Sequence, residues 1–118
     1  MITLQKHKND VWEIKINRPE KANSLSSSML EELLSIFDKA AEARGVVLTG
    51  QGTTFSAGAD LNEVKSGLAI SPIWEKLSEK IAKLNCITIA ALNGTVAGGA
   101  FGMILACDIR ICLLYTSD

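Results

Sequence analysis

NGTVAGGAFGMILACDIR, residues 93–110, decides the fold. A polar turn gives way to small residues. The apolar run Met103-Ile-Leu-Ala-Cys107 then completes a segment that reads as a helix over Gly98–Cys107. Glycine inside a helix costs about 1 kcal/mol against alanine, so Gly98, Gly99 and Gly102 need another reason to be there. A helix N-terminus carries unpaired N–H groups and a partial positive charge. Without side chains, a ligand oxygen can approach that backbone closely. Such a place suits an oxygen that becomes anionic during a reaction. Phe55-Ser-Ala-Gly-Ala-Asp60 has the same character, a strand exit with Gly58 flanked by alanines. One N–H from each loop would make a two-donor hole. Glycine loops also serve as plain turn or packing devices, so neither loop is specific alone.

Working outward, Asn93-Gly94 turns the chain after a buried strand over Ile87–Leu92. Before it, Ser71-Pro72 opens a helix with Ile73, Leu77, Ile81 and Leu84 on one face, stopped near Asn85. Gly45–Thr49 reads as another buried strand, Leu61–Ser66 as a short helix, and KSGLAIS between the helices as a polar, mobile stretch. Met29, Leu30, Leu33, Leu34, Ile36, Phe37, Ala40 and Ala41 recur at helical spacing. They predict an amphipathic helix over Ser27–Arg44, opened by a capping box at Ser28 and Glu31 and stopped by Gly45. At the front, Ile2–Gln5 and Val11–Asn17 alternate as half-buried strands do, with the polar NRPEKANSLSSS loop after them. Ile109–Leu113 begins a further strand. Strands alternate with helices, which predicts α/β layering in one domain. No internal repeat stands out.

Composition narrows the function. Lys+Arg is 12 and Asp+Glu 13, a net charge of −1, with no block of like charge. That argues against a nucleic-acid footprint or a polybasic membrane anchor. No apolar run reaches the ~20 residues of a membrane span, and the alternating N-terminus lacks a signal peptide's apolar core. Cys86, Cys107 and Cys112 form no CxxC pair and read as reduced thiols packed as small hydrophobes. His7, the only histidine, reads as a solvated strand residue. The glycine order G-x-x-x-G-G-x-x-G matches neither the dinucleotide fingerprint nor the P-loop, G-x-S-x-G is absent, and no cluster has metal-ligand spacing.

Three stretches, INRPEKANSLSSSML (16–30), GVVLTGQGTTFSAGADLNE (45–63) and IAALNGTVAGGAFGMILACDIRI (89–111), in this order and spacing, resemble the crotonase, or enoyl-CoA hydratase/isomerase, superfamily. The resemblance covers nearly the whole chain. It implies a crotonase-like spiral of ββα units, an acyl-CoA substrate and an enolate intermediate. It assigns the oxyanion donors to the N–H groups of Ala59 and Gly99. It places Lys21, Ala22, Ser56, Ala57, Gly58, Asp60, Leu61, Asn62 and Gly98 along the CoA, with Asp60 also expected to cap the short helix behind it and Asn23 to order its own loop. Coenzyme A is then part of the substrate, with no separate cofactor and no metal. The resemblance further implies a cytoplasmic protein whose full-length form is a homotrimer or hexamer.

The sequence departs from that pattern in two places. Hydrating members carry a glutamate three residues after the second oxyanion glycine. Here that residue is Gly102, which cannot be a general base, and the family's second glutamate would fall beyond residue 118. Isomerase-type chemistry with a later acid/base is favoured over two-glutamate hydration; a non-catalytic acyl-CoA-binding member or inactive fragment is the alternative, and a purely structural α/β module a third reading. CLLYTSD does not continue the family pattern. Residues 1–118 are therefore expected to be the N-terminal part of a single domain, truncated or joined to foreign sequence from about Cys112.

Overall fold

The computed structural model describes residues 1–113. The N-terminal hairpin is β1 (Ile2–Lys6) and β2 (Val11–Ile16), antiparallel with Ile2 opposite Ile16. In β2, Trp12, Ile14 and Ile16 are buried while their neighbours face outward, as period-2 alternation requires. Helix α1 (Ser27–Lys39) buries Met29, Leu30, Leu33 and Phe37, the stripe expected from their spacing.

From there the chain repeats one unit. Strand β3 (Gly45–Gly50) is followed by a short second strand, β4 (Thr54–Ser56), and by helices α2 (Leu61–Val64) and α3 (Ile73–Ala82). Strand β5 (Ile87–Leu92) is likewise followed by β6 (Thr95–Val96) and α4 (Ala100–Ala106). The first strands of the units join β1, β2 and β7 (Ile109–Cys112) in a five-stranded sheet ordered β1-β2-β3-β5-β7, parallel from β2 onward. The second strands pair with each other as a separate parallel ribbon, Thr54 beside Thr95 and Ser56 beside Val96. This is a spiral of ββα turns. The chain is internally repetitive after all: β4 and β6 are too short to carry a periodic signature in sequence.

Packing corrects several local expectations. The cap of α1 is Ser26, whose Oγ accepts from the Met29 N–H at 3.2 Å. No capping box forms at Ser28 and Glu31; the carboxylate arrives instead from Glu63, which accepts from the Ser27 N–H and, at 2.6 Å, from its hydroxyl. Helix α1 ends at Lys39, and a 3-10 turn over Ala40–Glu42 fills the stretch to Ala43. The KSGLAIS stretch contains a 3-10 turn, Leu68–Ile70, with Leu68 buried and its carbonyl accepting from Trp74 Nε1 at 2.9 Å. β3 and β5 are half-buried, with Val46, Leu48, Thr88 and Ala90 inward and Ile87 exposed. Of the tail expected to depart from Cys112, Cys112 lies in β7 opposite Leu92, and the Leu113 N–H donates to the Leu92 carbonyl. Residues 114–118 lie outside the described residues.

The three thiols are unbonded but not alike. Cys107 is buried, and burial pushes its thiol up to about 11; Cys86 is half-buried and raised for the same reason. Cys112 is exposed, contrary to the expectation of three packed thiols. The thiolate is the reactive form. Iodoacetamide at mildly alkaline pH is therefore expected to label Cys112 first and Cys107 only on unfolding, as read by peptide mapping.

Candidate functional site

The two glycine loops leave the ends of β4 and β6, so they occupy equivalent places in successive turns of the spiral. Ser56-Ala-Gly-Ala-Asp60 corresponds to Val96-Ala-Gly-Gly-Ala100 through the Ser56–Val96 pairing. Both middle glycines adopt positive φ, +94° at Gly58 and +59° at Gly98, a conformation that costs a side-chain-bearing residue about 1 kcal/mol or more. The loops touch: a Cβ on Gly58 would lie 2.9 Å from the Ala97 carbonyl oxygen and 3.2 Å from Gly98 Cα. The Ala97 N–H donates to the Ser56 carbonyl at 3.0 Å.

The first loop is extended against Leu25. Leu25 N–H donates to the Gly58 carbonyl at 2.7 Å and Asp60 N–H to the Leu25 carbonyl at 2.9 Å, which makes Ala59 a parallel bridge partner of Leu25. Peptide groups alternate in direction along extended chain. With the Gly58 carbonyl and Asp60 N–H turned to Leu25, the Ala59 N–H is turned the other way. Neither the Ala59 nor the Gly99 N–H donates to a protein acceptor among the described residues. Gly99 is the cap residue of α4, and the Trp74 ring of α3 lies directly on it.

Two asparagines hold the floor. Asn23 is fully buried at φ +55°; its Oδ1 accepts from Arg18 N–H at 2.8 Å, and its Nδ2 donates to the Gln51 and Thr54 carbonyls at 2.9 and 2.6 Å. Asn93 accepts from Gly50 N–H at 3.1 Å and donates to the Gly52 and Thr54 carbonyls. Asn23 therefore orders more than its own loop: it ties that loop to β4. Asn23→Ala removes the acceptor of the Arg18 N–H and the donor to the Gln51 carbonyl, leaves the Thr54 carbonyl with Asn93 alone, and puts alanine at positive φ; together this should cost ~3 kcal/mol, read as a drop in the urea midpoint.

A cavity of about 380 Å³ opens beside the first loop, lined by Lys21, Ala22, Ser24, Ala57, Ala59, Asp60, Leu61 and Asn62. Most of the expected CoA-contacting residues are brought together there. Ser56 is not: it is buried, its Oγ donating to the Asn23 carbonyl at 2.9 Å and accepting from Gly58 N–H at 3.1 Å, so it shapes the loop from inside. Gly58 and Gly98 face each other rather than this cavity. Ser24 is a lining residue the sequence did not single out. Asp60 caps α2, Oδ1 accepting from Asn62 N–H at 2.8 Å, and its Oδ2 takes Arg18 Nη1 at 2.6 Å. That guanidinium holds the Asp60 carboxyl below the usual carboxylate range. Arg18 had no signal in sequence, because its partner lies 42 residues away.

A second cavity of about 320 Å³ lies between α3 and α4, lined by Trp74, Glu75, Ser78, Glu79, Gly99 and Gly102. A Cβ on Gly102 would meet only Ser78 Oγ, at 3.2 Å. A third opening, of about 720 Å³ between α1 and α3, is lined mainly by charged side chains and touches neither glycine loop. No helix among the described residues is long and apolar enough to cross a membrane, and no group of three or more metal-ligating side chains occurs among them.

Comparison with known proteins places the chain in context. Residues 6–114 match the family model described as Enoyl-CoA hydratase/isomerase. The chain is 35% identical to 4-chlorobenzoyl coenzyme A dehalogenase-2 of an Arthrobacter species, a match spanning 90% of this chain and 43% of that protein. It is 31% identical to human ethylmalonyl-CoA decarboxylase, over 93% of this chain and 39% of the relative. Among solved structures, the enoyl-CoA hydratase of Bacillus anthracis superposes with a TM-score of 0.84 at 35% identity, covering 94% of this chain and 46% of that one. The chain thus spans less than half the length of these relatives.

Proposed function

The chain belongs to the enoyl-CoA hydratase/isomerase family, and from that membership and its paired loops we propose that it forms the thioester-binding half of an acyl-CoA-processing enzyme. The Ala59 and Gly99 N–H groups receive the thioester oxygen as it becomes anionic. The observation that carries this is the contact of two glycine loops from equivalent places in successive ββα turns, each with an N–H that no acceptor takes among the described residues. Two fixed donors favour the enolate over the neutral thioester and need not reorganise as charge develops. The CoA arm lies in the Lys21–Asn62 cavity, with the Lys21 ammonium available to a phosphate. The acyl group enters the cavity between α3 and α4 beside Gly99. Coenzyme A arrives with the substrate, so no separate cofactor or metal is required, and the whole protein works as a cytoplasmic homotrimer or hexamer.

Gly102 offers no carboxylate at the place where hydrating members hold their first glutamate. Isomerase-type chemistry is therefore favoured over two-glutamate hydration, with the acid/base supplied by the part of the family fold that this chain, as the N-terminal part of one domain, does not span. The same glycine favours a second reading for the chain by itself, acyl-CoA binding without turnover. Two assays separate them: crotonyl-CoA hydration and 3-enoyl-CoA isomerisation, each run with this chain and with a full-length version. Isomerisation by the full-length form alone is the expected result. Turnover by the 118-residue chain would contradict the placement of the acid/base.

A further inference from the structure

Arg18 stands out because the mechanism above does not use it, yet it is the most enclosed charged side chain paired with another among the described residues. Its pair with Asp60 leaves the two side chains 17% and 7% exposed, whereas His7–Glu13, Lys15–Glu13 and Lys80–Asp38 lie at the surface. Taking two charges out of water is costly and is repaid only by good geometry and further hydrogen bonds. Both conditions are met. Arg18 Nη1 lies 2.6 Å from Asp60 Oδ2 and reaches the Ser24 carbonyl at 3.3 Å and its hydroxyl at 3.5 Å. The Arg18 backbone N–H is itself fixed by Asn23.

We propose that the Arg18–Asp60 ion pair positions the Ala59 N–H at the thioester oxygen, a role that rests on the acyl-CoA reading given above. Asp60 is the residue after the donor. Its backbone N–H is held by Leu25, its Oδ1 by Asn62 N–H, and its Oδ2 by Arg18. Leu25 also holds the Gly58 carbonyl, so Ala59 is bracketed on both sides. The bracket, however, is only as well placed as the 18–25 loop that carries Leu25. Arg18 closes the ring: one guanidinium grips both that loop, through Ser24, and the 58–60 segment, through Asp60. Arg18 does not line the CoA cavity. It acts through Asp60 and is a positioning residue, not a catalytic one. A displacement on the order of 1 Å at a donor is enough to cost about a hundredfold in a preorganised site.

The test uses acetoacetyl-CoA, whose enolate absorbs in the near ultraviolet, and free CoA as a probe without a thioester. In Arg18→Met the enolate signal at saturation is expected to fall at least about tenfold, while the affinity for free CoA stays within about twofold of the parent chain. Arg18→Lys, a point charge without the planar fork, is expected to fall between the two. The Ala59 amide resonance should shift in both variants. Should Arg18→Met not fold, Arg18→Lys and Arg18→Gln decide by the same readouts. An undiminished enolate signal overturns the proposal. So does parallel loss of enolate signal and CoA affinity, which marks a general structural role. If the parent chain itself gives no enolate band while binding CoA, it is the oxyanion reading that fails.

Discussion

Gly99→Ala is expected to fold and to lose the acetoacetyl-CoA enolate signal by roughly 10²–10³-fold, the cost of one lost oxyanion donor. The reason lies in what a single methyl would meet. A Cβ at residue 99 falls 2.7, 2.8 and 3.0 Å from Trp74 Cε3, Cδ2 and Cζ3. That ring is buried and tethered by its Nε1 to the Leu68 carbonyl at 2.9 Å, so it cannot swing clear. The loop between β6 and α4 must give way instead, and the Gly99 N–H moves with it. Pairing Gly99→Ala with Trp74→Leu makes room for the methyl, and part of the signal should return; contacting residues of this kind are coupled. Full activity in Gly99→Ala alone would show that the donor is not where we place it.

Gly94→Ala is expected to prevent folding. Here the methyl would meet main chain only: Thr53 O at 1.8 Å, Thr53 C at 2.6 Å and Thr54 Cα at 3.2 Å. Overpacking usually costs about 1–3 kcal/mol because side chains can shift. At residue 94 the relief must come from separating the β5–β6 turn from the start of β4. That motion breaks the Thr54–Thr95 pairing and the three hydrogen bonds that Asn93 makes to Gly50, Gly52 and Thr54. A loss of ~5 kcal/mol or more is a large part of the roughly 5–15 kcal/mol that holds a domain folded. Collapsed amide dispersion in an NMR spectrum is the expected result; a melt close to that of the parent chain would contradict it.

The ion pair at Asp60 adds a pH dependence. Its carboxyl is held below the ordinary range, chiefly by the Arg18 hydrogen bond. A depressed native pKa gives stability that is complete above the unfolded value, about pH 4, and is lost as pH falls through the lower native value. Loop stability should therefore be flat from neutral pH down to about pH 4 and decline below it, with Asp60→Asn removing the decline. Urea midpoints across that range measure it.

Elements with long or strict patterns were legible in the sequence. The alternation of Trp12, Ile14 and Ile16 and the helical stripe from Met29 to Phe37 each report a local period that the core then uses. The glycine loops were legible because their residue types are costly anywhere else. What could not be read depends on partners far along the chain. β4 and β6 have three and two residues, and each is a strand only because the other lies beside it. The cap of α1 draws its carboxylate from Glu63 rather than Glu31, and Arg18 is explained only by Asp60. Ser56 looked like a ligand contact because it sits in the right loop; its hydroxyl is spent inward on Asn23 and Gly58.

The most direct test is a crystal structure of this chain with acetoacetyl-CoA. The thioester oxygen is expected to sit about 2.7–3.1 Å from both the Ala59 and the Gly99 nitrogen. An oxygen held by only one of them, or bound elsewhere on the molecule, would contradict the account.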